Sequence, residues 1–363
     1  MLKQGVIVAF FSKEMTSLVQ FSSLTSIHIN AVVQPFIMAG EISDYLHNLK
    51  EIPVYESFET AQSEGATLLL IGFTKQLSKM RGTDYLQLAL NFAISHGLDV
   101  FSFENINEEK YSCLLLQMNE KGLKHYCPLI KKKLSDNHNY LQDMVVNKDP
   151  NGIMIVGTSS NQGKFTLMLR IMIELKNRGI NFRTIGSEHQ SALFGIDSVF
   201  PYGVAANVMI PMAEYPDYLQ KELGKLYKSG AKYVLSCSQS GLLPYSLQDI
   251  YNRSFTLSTI SFFFSLMPGK VIIVVNSGID SDSFIKDTIT FIENVGQVKV
   301  VALAFSNMER VLTDDIININ SLKKERISMI KQKYFDEFDL ASFNIMDDGD
   351  IKSLVNLLVG DDI

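Results

Sequence analysis

The sequence predicts an α/β protein of two domains, each built on a mainly parallel sheet. Short runs rich in Val, Ile, Leu and Phe alternate with longer amphipathic stretches from residue 5 onward, and the alternation starts again at Ile153. This alternation is typical of parallel strands that helices cover on both faces. At 363 residues the chain is also longer than one hydrophobic core usually serves, which favours two domains.

The first series predicts a Rossmann-like domain. Strands are predicted at GVIVAFF, IHINAVV, IPVY, TLLLIGF and LDVFSF, and helices at MTSLVQFSSLT, SFETAQSEG and YLQLALNFAISHG. The loop after the first strand, FSKEMTS, has no glycine that would let the backbone approach a pyrophosphate. We therefore expect no NAD-binding site in this domain.

The boundary between the domains is predicted where this rhythm weakens, between residues 105 and 150. The segment KKKLSDNHNYLQDMVVNKDPNG is polar and rich in turn-forming residues. We therefore expect a Rossmann-like domain over residues 1–145 and a second α/β domain over residues 146–363.

The second series predicts another parallel sheet, followed by a helical tail. Strands are predicted at IMIVG, NFRTIG, KYVLSCS, GKVIIVVN and VKVVALAF, with helices over residues 164–178, 217–228 and 282–294. In the tail, a charged helix is predicted near SLKKERISMIKQKYF and a last amphipathic turn at DIKSLVNLLVG. Asn276 is followed by SGID and not by the Lys-x-Asp of guanine-binding loops, so guanine selection is not expected.

A phosphate-binding loop is predicted where the second series begins. The strand IMIVG runs into a loop of small residues that ends in Gly-Lys, and a helix follows at once. Small residues let successive backbone N–H groups converge on phosphate oxygens, and the helix N-terminus favours an anion. The predicted ligand-binding residues are Gly157, Thr158, Ser159, Ser160, Asn161, Gln162, Gly163, Lys164, Phe165 and Thr166.

The residues that would hold magnesium depart from the usual pattern of P-loop NTPases. In those proteins Ser or Thr follows the loop lysine, and an Asp or Glu on a second strand supports the metal. Here Phe165 follows Lys164, so Thr166 is the predicted metal ligand, and Cys237 stands on the strand KYVLSCS. Magnesium prefers oxygen to a thiol, so fast hydrolysis is not expected, whereas anion binding needs no metal. Cys237 is either a nucleophile or a small buried residue at a strand end.

The loop GTSSNQGKFT resembles the GTxxxxGK loop of dethiobiotin synthetase. It is more similar to the loop of the DUF1611 family, in which an apolar residue and Thr follow Gly-Lys. The stretch KYVLSCSQSGLLPYS resembles another block of that family, with matches at Val234, Leu235, Gln239, Leu242 and Leu243. The resemblance implies a Rossmann-like domain followed by a P-loop NTPase-like domain, and it places Cys237 where that family has Glu.

A second resemblance concerns the stretch RTIGSEHQSALFGIDSVFP. It is similar to a block of a clostridial family of peptide maturation system proteins, with matches at Ile185, Gly186, Ser187, His189, Leu193, Phe194 and Gly195. That resemblance implies natural product biosynthesis from a ribosomally made peptide, with a peptide substrate or a maturation enzyme as partner. The predicted catalytic residues are Glu188, His189 and Gln239, since His can act as an acid or base near neutral pH and Gln239 follows a strand.

Three functions follow from these observations. The first is an enzyme of peptide maturation that binds ATP or another nucleotide, with or without magnesium. The second is a degenerate P-loop module that binds a precursor peptide or a partner enzyme and catalyses nothing, which Phe165 and Cys237 favour. The third is N-acyl transfer from coenzyme A (CoA), an activity that the resemblance to DUF1611 implies.

Composition argues against several other classes. A net charge of -6 disfavours nucleic-acid binding, because phosphate backbones are gripped by an excess of Lys and Arg. No stretch approaches the roughly 18 apolar residues of a membrane span. The three cysteines show no CxxC spacing, which fits a cytoplasmic protein without disulfides. The apolar stretch STISFFFSLM would allow a homo-oligomer.

Overall fold

A computed structural model describes the chain over residues 4–12, 15–35, 52–131, 148–203, 206–245, 257–313 and 316–360. These residues form two compact units. As far as the chain is described, the first contains Met1–Ile130, His189–Gly195 and Ala205–Val208, and the second contains Lys131–Glu188, Ile196–Val204 and Met209–Ile363. The first unit is therefore assembled from three separate segments of the sequence.

The first unit is built on a parallel sheet whose described strands follow the order β3-β2-β1-β4-β5-β6. The strands are β1 (Gln4–Ala9), β2 (Ile27–Val33), β3 (Val54–Tyr55), β4 (Leu68–Ile71), β5 (Asp99–Ser102) and β6 (His125–Tyr126). The helices are α1 (Thr16–Gln20), α2 (Lys75–Arg81), α3 (Tyr85–His96) and α4 (Ser112–Glu120), with 3-10 turns at Ser22–Leu24, Glu109–Tyr111 and His189–Phe194. The predicted α/β fold with a parallel sheet is confirmed for this unit.

Burial and capping explain why these segments form their elements. All four residues of β4 are buried, as expected for a strand that is covered on both faces. Helix α3 begins after Asp84, whose carboxylate accepts a hydrogen bond from the Gln87 N–H at 3.0 Å, and it ends at Gly97 with φ of 66°. Leu90 of α3 and Leu69 of β4 belong to one core cluster, so the helix packs on the sheet through its apolar face.

In sheets of this strand order, ligands usually bind between the carboxyl ends of the strands that correspond to β1 and β4. Phe10, which follows β1, adopts φ of 60°. Its carbonyl oxygen lies 2.2 Å from the point that a Cβ on Gly72 would occupy. Phe10, Phe11 and Met15 are all buried at this edge. The described residues that follow β1 therefore pack closely on the chain that follows β4.

One predicted helix is wrong. The stretch SFETAQSEG, residues 57–65, forms turns and contains no helix. The Thr60 hydroxyl donates a hydrogen bond to the Ser57 carbonyl oxygen at 3.2 Å, so a side chain competes with the helical pattern. Gly65, with φ of 72°, ends the segment.

Two segments from later in the sequence complete the first unit. The Asn207 side-chain amide donates a hydrogen bond to the Phe103 carbonyl oxygen at 2.7 Å, and the Ile130 N–H donates to the Asn207 carbonyl oxygen at 2.8 Å. Ile130 also forms a parallel β-bridge with Val208. These backbone groups would lose their partners if the chain were cut after residue 130.

The second unit is built on a parallel sheet whose described strands follow the order β15-β12-β11-β7-β10-β8-β9. The strands are β7 (Asp149–Gly157), β8 (Phe182–Gly186), β9 (Ser198–Val199), β10 (Tyr233–Gly241), β11 (Pro268–Val275), β12 (Lys299–Phe305), the hairpin β13 (Met308–Thr313) and β14 (Ile316–Ser321), and β15 (Ser342–Asn344). The helices are α5 (Lys164–Asn177), α6 (Tyr215–Lys228), α7 (Leu257–Leu266), α8 (Asp282–Thr290), α9 (Lys324–Phe338) and α10 (Asp348–Val359). A 3-10 turn spans Met212–Glu214, and a π-helical turn, Phe291–Val295, continues α8.

Strand β7 lies in the middle of this sheet, between β10 and β11. Gly157, its last residue, pairs with Gly241 of β10 and with Val274 of β11. Because the three strands are parallel, the loops that follow them leave the same edge of the sheet. In open parallel sheets that edge is where ligands bind.

Two further elements differ from what the sequence indicates. No strand is predicted at the antiparallel hairpin of β13 and β14, which pairs Met308 with Ser321. The apolar stretch STISFFFSLM coincides largely with α7, whose Phe262 and Phe263 are fully buried, so part of its apolar character serves the core of the second unit. None of the helices in the described part of the chain combines the length and apolar character that crossing a bilayer requires.

Candidate phosphate-binding site

The predicted phosphate loop joins β7 to α5. Gly163, directly before α5, adopts φ of 91°, and Asn161 adopts φ of 60°. Both values lie in the left-handed region, which glycine and asparagine reach most readily. The Thr158 N–H donates a hydrogen bond to the Val274 carbonyl oxygen at 3.1 Å, which fastens the start of the loop to β11. The loop thus brings the N-terminus of α5 to the edge of the sheet, where the helix dipole favours an anion.

Lys164, the first residue of α5, folds back onto the loop. It is 4% exposed, and its Nζ donates a hydrogen bond to the Ser159 carbonyl oxygen at 2.6 Å. A Cβ on Gly157 would lie 2.9 Å from Lys164 Cδ and 3.0 Å from Nζ. Glycine at position 157 therefore makes room for the lysine side chain, and a larger residue would push the ammonium group away.

Gln162 is buried within the loop. Its Oε1 accepts a hydrogen bond from the Ser159 N–H at 3.0 Å, and its Nε2 donates to Thr158 Oγ1 at 2.5 Å. The side-chain amide therefore joins Gln162, near the end of the loop, to Thr158 and Ser159 at its start. A side chain held at both ends restricts the shape of the loop around it.

A buried carboxylate from the loop that follows the neighbouring strand β11 contacts this bridge. Asp280, in the loop between β11 and α8, is 7% exposed. Its Oδ2 accepts hydrogen bonds from Thr158 Oγ1 at 2.5 Å and from the Asn276 N–H at 2.7 Å, with Gln162 Nε2 at 3.5 Å. Its Oδ1 accepts a hydrogen bond from the Tyr245 hydroxyl. Burial raises the pKa of Asp280, and the hydrogen bonds from Thr158 and Tyr245 act in the opposite direction.

Neither Asp280 nor Tyr245 is predicted as a site residue from the sequence. Tyr245 lies beyond β10, and its ring stacks on Phe284 of α8 with the centroids 4.2 Å apart. Burial raises the pKa of the Tyr245 hydroxyl, which keeps it a donor at neutral pH. A usable signal for Asp280 is its place shortly after the apolar strand VIIVV, because an acid at a strand's carboxyl end faces the ligand edge of a parallel sheet.

The two positions that support magnesium in P-loop NTPases hold poor metal ligands. Phe165 follows Lys164, and Thr166, the predicted metal ligand, lies partly buried in the first turn of α5. Cys237 is fully buried, and its Sγ donates to the Ser238 carbonyl oxygen at 3.3 Å. Burial raises the pKa of Cys237, against the effect of Lys164, so the thiol stays protonated. Within the described residues, no group of three or more His, Cys, Asp or Glu side chains is arranged to hold a metal ion.

Glu188 and Gln239, two of the predicted catalytic residues, lie together. Gln239 Nε2 lies 3.4 Å from Glu188 Oε2, and it also donates a hydrogen bond to the Ser187 carbonyl oxygen. The Gln239 N–H donates to the Tyr202 hydroxyl at 3.0 Å. A Cβ on Gly203 would lie 1.1 Å from Gln239 Oε1, so only glycine at position 203 accommodates this arrangement. The amide of Gln239 is thereby oriented toward the Glu188 carboxylate.

His189, the third predicted catalytic residue, belongs to the first unit. It is 2% exposed, and its ring packs edge to face on Phe73 with the centroids 5.1 Å apart. The centroid of the Phe103 ring lies 5.9 Å from the centroid of the His189 ring. Aromatic neighbours of this kind provide a packing environment for the imidazole. A shared catalytic role for Glu188, His189 and Gln239 stays a prediction.

Comparisons with known proteins bear on the fold. No family model matches the sequence, and no curated protein matches it. A crystal structure of a DUF1611 family protein from Anabaena variabilis is similar over 99% of this chain and 99% of its own, with a TM-score of 0.68 and 15% identity. At that identity the likeness shows the fold, and it agrees with the two parallel sheets described above.

Shorter overlaps occur with two other solved structures. The MinD cell division protein of Aquifex aeolicus overlaps 59% of this chain and 98% of its own, with a TM-score of 0.37 and 13% identity. A nucleotide-binding protein from Archaeoglobus fulgidus, solved in complex with ADP, overlaps 58% of this chain and 88% of its own, with a TM-score of 0.35 and 13% identity. Both TM-scores are too low to support a shared function.

Proposed function

We propose that this chain binds a nucleotide, such as ATP, in the loop Gly157–Thr166. The observation that supports this most directly is the buried Lys164 ammonium group at the N-terminus of α5. A cation beside a helix N-terminus favours an anionic ligand, and phosphate esters are the usual anions of such loops. Gln162 and Asp280 hold the loop in one shape, which reduces the ordering that a ligand must impose.

Thermal unfolding of the full chain with added ATP, ADP or pyrophosphate tests this proposal. A ligand at about 100 times its Kd stabilises the folded state by about 2.7 kcal/mol, which is readily measured. We expect Lys164→Ala to abolish the shift. Lys176→Ala, an exposed position in the last turn of the same helix, is the matched control and should keep it. If the wild-type protein showed no shift with any of the three ligands, the proposal would be wrong.

The biological role we propose is maturation of a ribosomally made peptide. It is supported by the resemblance of the sequence block around Glu188 and His189 to peptide maturation system proteins, and by the contact between Glu188 and Gln239. In this proposal Glu188 and Gln239 act on the peptide, and the loop binds the nucleotide. Co-expression with a precursor peptide, followed by mass spectrometry, should show a modification of the peptide. Glu188→Gln should reduce the amount of modified peptide and should keep the thermal shift that the nucleotide induces.

A second candidate function, N-acyl transfer from CoA, is favoured by the residues at the magnesium positions. The diphosphate of CoA can be held by backbone N–H groups and a lysine without a metal ion. Phe165 and the protonated thiol of Cys237 are compatible with such a site. A larger thermal shift with acetyl-CoA than with ATP, lost in Lys164→Ala, would favour this function over nucleotide binding.

A further inference from the structure

The phosphate loop offers little positive charge to a polyphosphate. Lys164 is the one cationic side chain among residues 157–166. In P-loop NTPases a magnesium ion bridges the phosphates and neutralises much of their remaining charge. Whether this chain can hold that ion depends on the oxygen ligands near the loop, because magnesium prefers hard, charged oxygen atoms in octahedral geometry.

The usual ligand positions do not provide such oxygens. Phe165 places an aromatic ring where a hydroxyl would bind the metal directly. On β10, Cys237 is fully buried and protonated, and its hydrogen bond to Ser238 uses the thiol proton within the strand. Neither side chain offers an oxygen ligand.

The carboxylate that does contact the loop is already engaged. Asp280 accepts hydrogen bonds at both oxygens, from Thr158 and Asn276 at Oδ2 and from Tyr245 at Oδ1. These donors belong to the phosphate loop, to the backbone after β11 and to the partly buried Tyr245. A metal ion at Asp280 would have to replace them and separate Thr158 from the carboxylate. Asp280 therefore restrains the loop through hydrogen bonds and is poorly suited to bind a metal.

Two further oxygen donors among the predicted site residues are Glu188 and Thr166. Glu188 follows β8, which is separated from β7 by β10, and its carboxylate lies 3.4 Å from Gln239 Nε2. Thr166 lies on α5 two residues after Lys164 and offers only a neutral hydroxyl. Among the predicted site residues that the structure describes, Glu188 is the one carboxylate, and the hydroxyl groups of the loop and of Thr166 are neutral. This set falls short of the paired ligands on which P-loop magnesium sites rely.

We propose that the loop binds its phosphate ligand without a divalent cation. Lys164 and the N-terminus of α5 attract the phosphate groups, and the hydrogen bonds among Asp280, Thr158 and Gln162 stabilise the conformation of the loop. This inference rests on the proposed phosphate binding, and it identifies the bound species as the metal-free nucleotide. It also explains how Phe165 and Cys237 can replace the usual metal ligands without loss of binding.

Isothermal titration of the full chain with ADP, in excess magnesium and separately in excess EDTA, tests the inference. We expect ADP to bind in EDTA at least as tightly as in magnesium. In EDTA all of the ADP is free of metal, and metal-free ADP is the species that the loop is proposed to bind. Thr166→Val and Glu188→Gln should each change the two affinities by the same factor, because neither side chain would hold a metal ion. Lys164→Ala should remove binding under both conditions, which assigns the measured heat to the loop.

The outcomes separate this inference from the proposal on which it rests. If EDTA weakened ADP binding by more than about threefold and added magnesium or manganese restored it, the loop would need a metal and the inference would be overturned. Nucleotide binding itself would then still stand. If ADP failed to bind in either condition, or bound equally well to Lys164→Ala, the proposed nucleotide site and this inference would both be overturned.

Discussion

Replacing Asp280 with alanine should loosen the phosphate loop while the rest of the second unit stays folded. The carboxylate accepts hydrogen bonds from Thr158, Asn276 and Tyr245, and each bond to a charged group contributes about 1.5–3 kcal/mol. Burial of the charge offsets part of this sum, as the raised pKa shows. Because the substitution also leaves buried donors without an acceptor, we expect a local loss of about 3 kcal/mol.

Hydrogen exchange followed by mass spectrometry measures this loss locally. A decrease of about 3 kcal/mol in the opening free energy corresponds to roughly 100-fold faster exchange. The expected increase is confined to peptides that contain the loop after β7 and the loop before α8, where the Asn276 N–H donates directly to the carboxylate at 2.7 Å. Asp217→Asn is the control, because its exposed pair with Lys221 on α6 should contribute no more than about 0.5 kcal/mol.

An unchanged exchange rate in the loop peptide of Asp280→Ala would refute this reasoning. It would mean that the hydrogen bonds to Thr158 and Gln162 do not restrain the loop, and that the loop keeps its shape by other contacts. Faster exchange throughout the second unit would refute it as well, because the carboxylate would then support the whole core and not the loop.

The remaining predictions concern pH and two close contacts. The pKa of Asp280 is raised in the folded state, so the folded protein binds a proton more tightly than the unfolded chain does. The wild-type protein should therefore gain stability relative to Asp280→Asn as the pH falls from neutral toward the ordinary carboxyl pKa of 3.8. Thermal unfolding across that range measures the difference, and a wild-type protein that lost stability relative to the variant would contradict the prediction. Gly203→Ala should displace the Gln239 side chain, since the new Cβ would lie 1.1 Å from its Oε1, and a crystal structure of the variant would show whether it moves. Tyr227→Phe should cost about 1–2 kcal/mol in urea unfolding, because the hydroxyl donates to the buried Asp149 at 2.6 Å; a cost near zero would show that water replaces it.

Much of the fold follows from local patterns in the sequence. The apolar runs LLLI and VIIVV are continuous because both faces of their strands are covered, and this makes them visible without any tertiary information. SFETAQSEG misleads because its amphipathic spacing resembles a helix, whereas hydrogen bonding between Ser57 and Thr60 favours a turn. The antiparallel hairpin of β13 and β14 interrupts an alternating strand and helix pattern that gives no indication of it.

Part of the candidate site can likewise be predicted from the sequence, and part of it cannot. The loop from Gly157 to Thr166 is contiguous in sequence, so its strand, small residues, lysine and helix can be recognised together. Asp280 follows Thr158 by 122 residues, and only the pairing of β11 with β7 brings them within hydrogen-bonding distance. Tyr245 reaches the same carboxylate from a third loop. Such a network depends on strand order, which neither residue's local sequence reveals.

The three-segment construction of the first unit sets an order of events during synthesis. Its sheet strands emerge from the ribosome first, but Phe103 and Ile130 find their partners only when Asn207 and Val208 have been made. The 78 residues from Ile130 to Val208 take roughly 4–16 s to add at about 5–20 residues per second. During that interval the phosphate loop itself is translated. The first unit therefore cannot complete these contacts until Asn207 and Val208, which follow the phosphate loop in the sequence, have been synthesised.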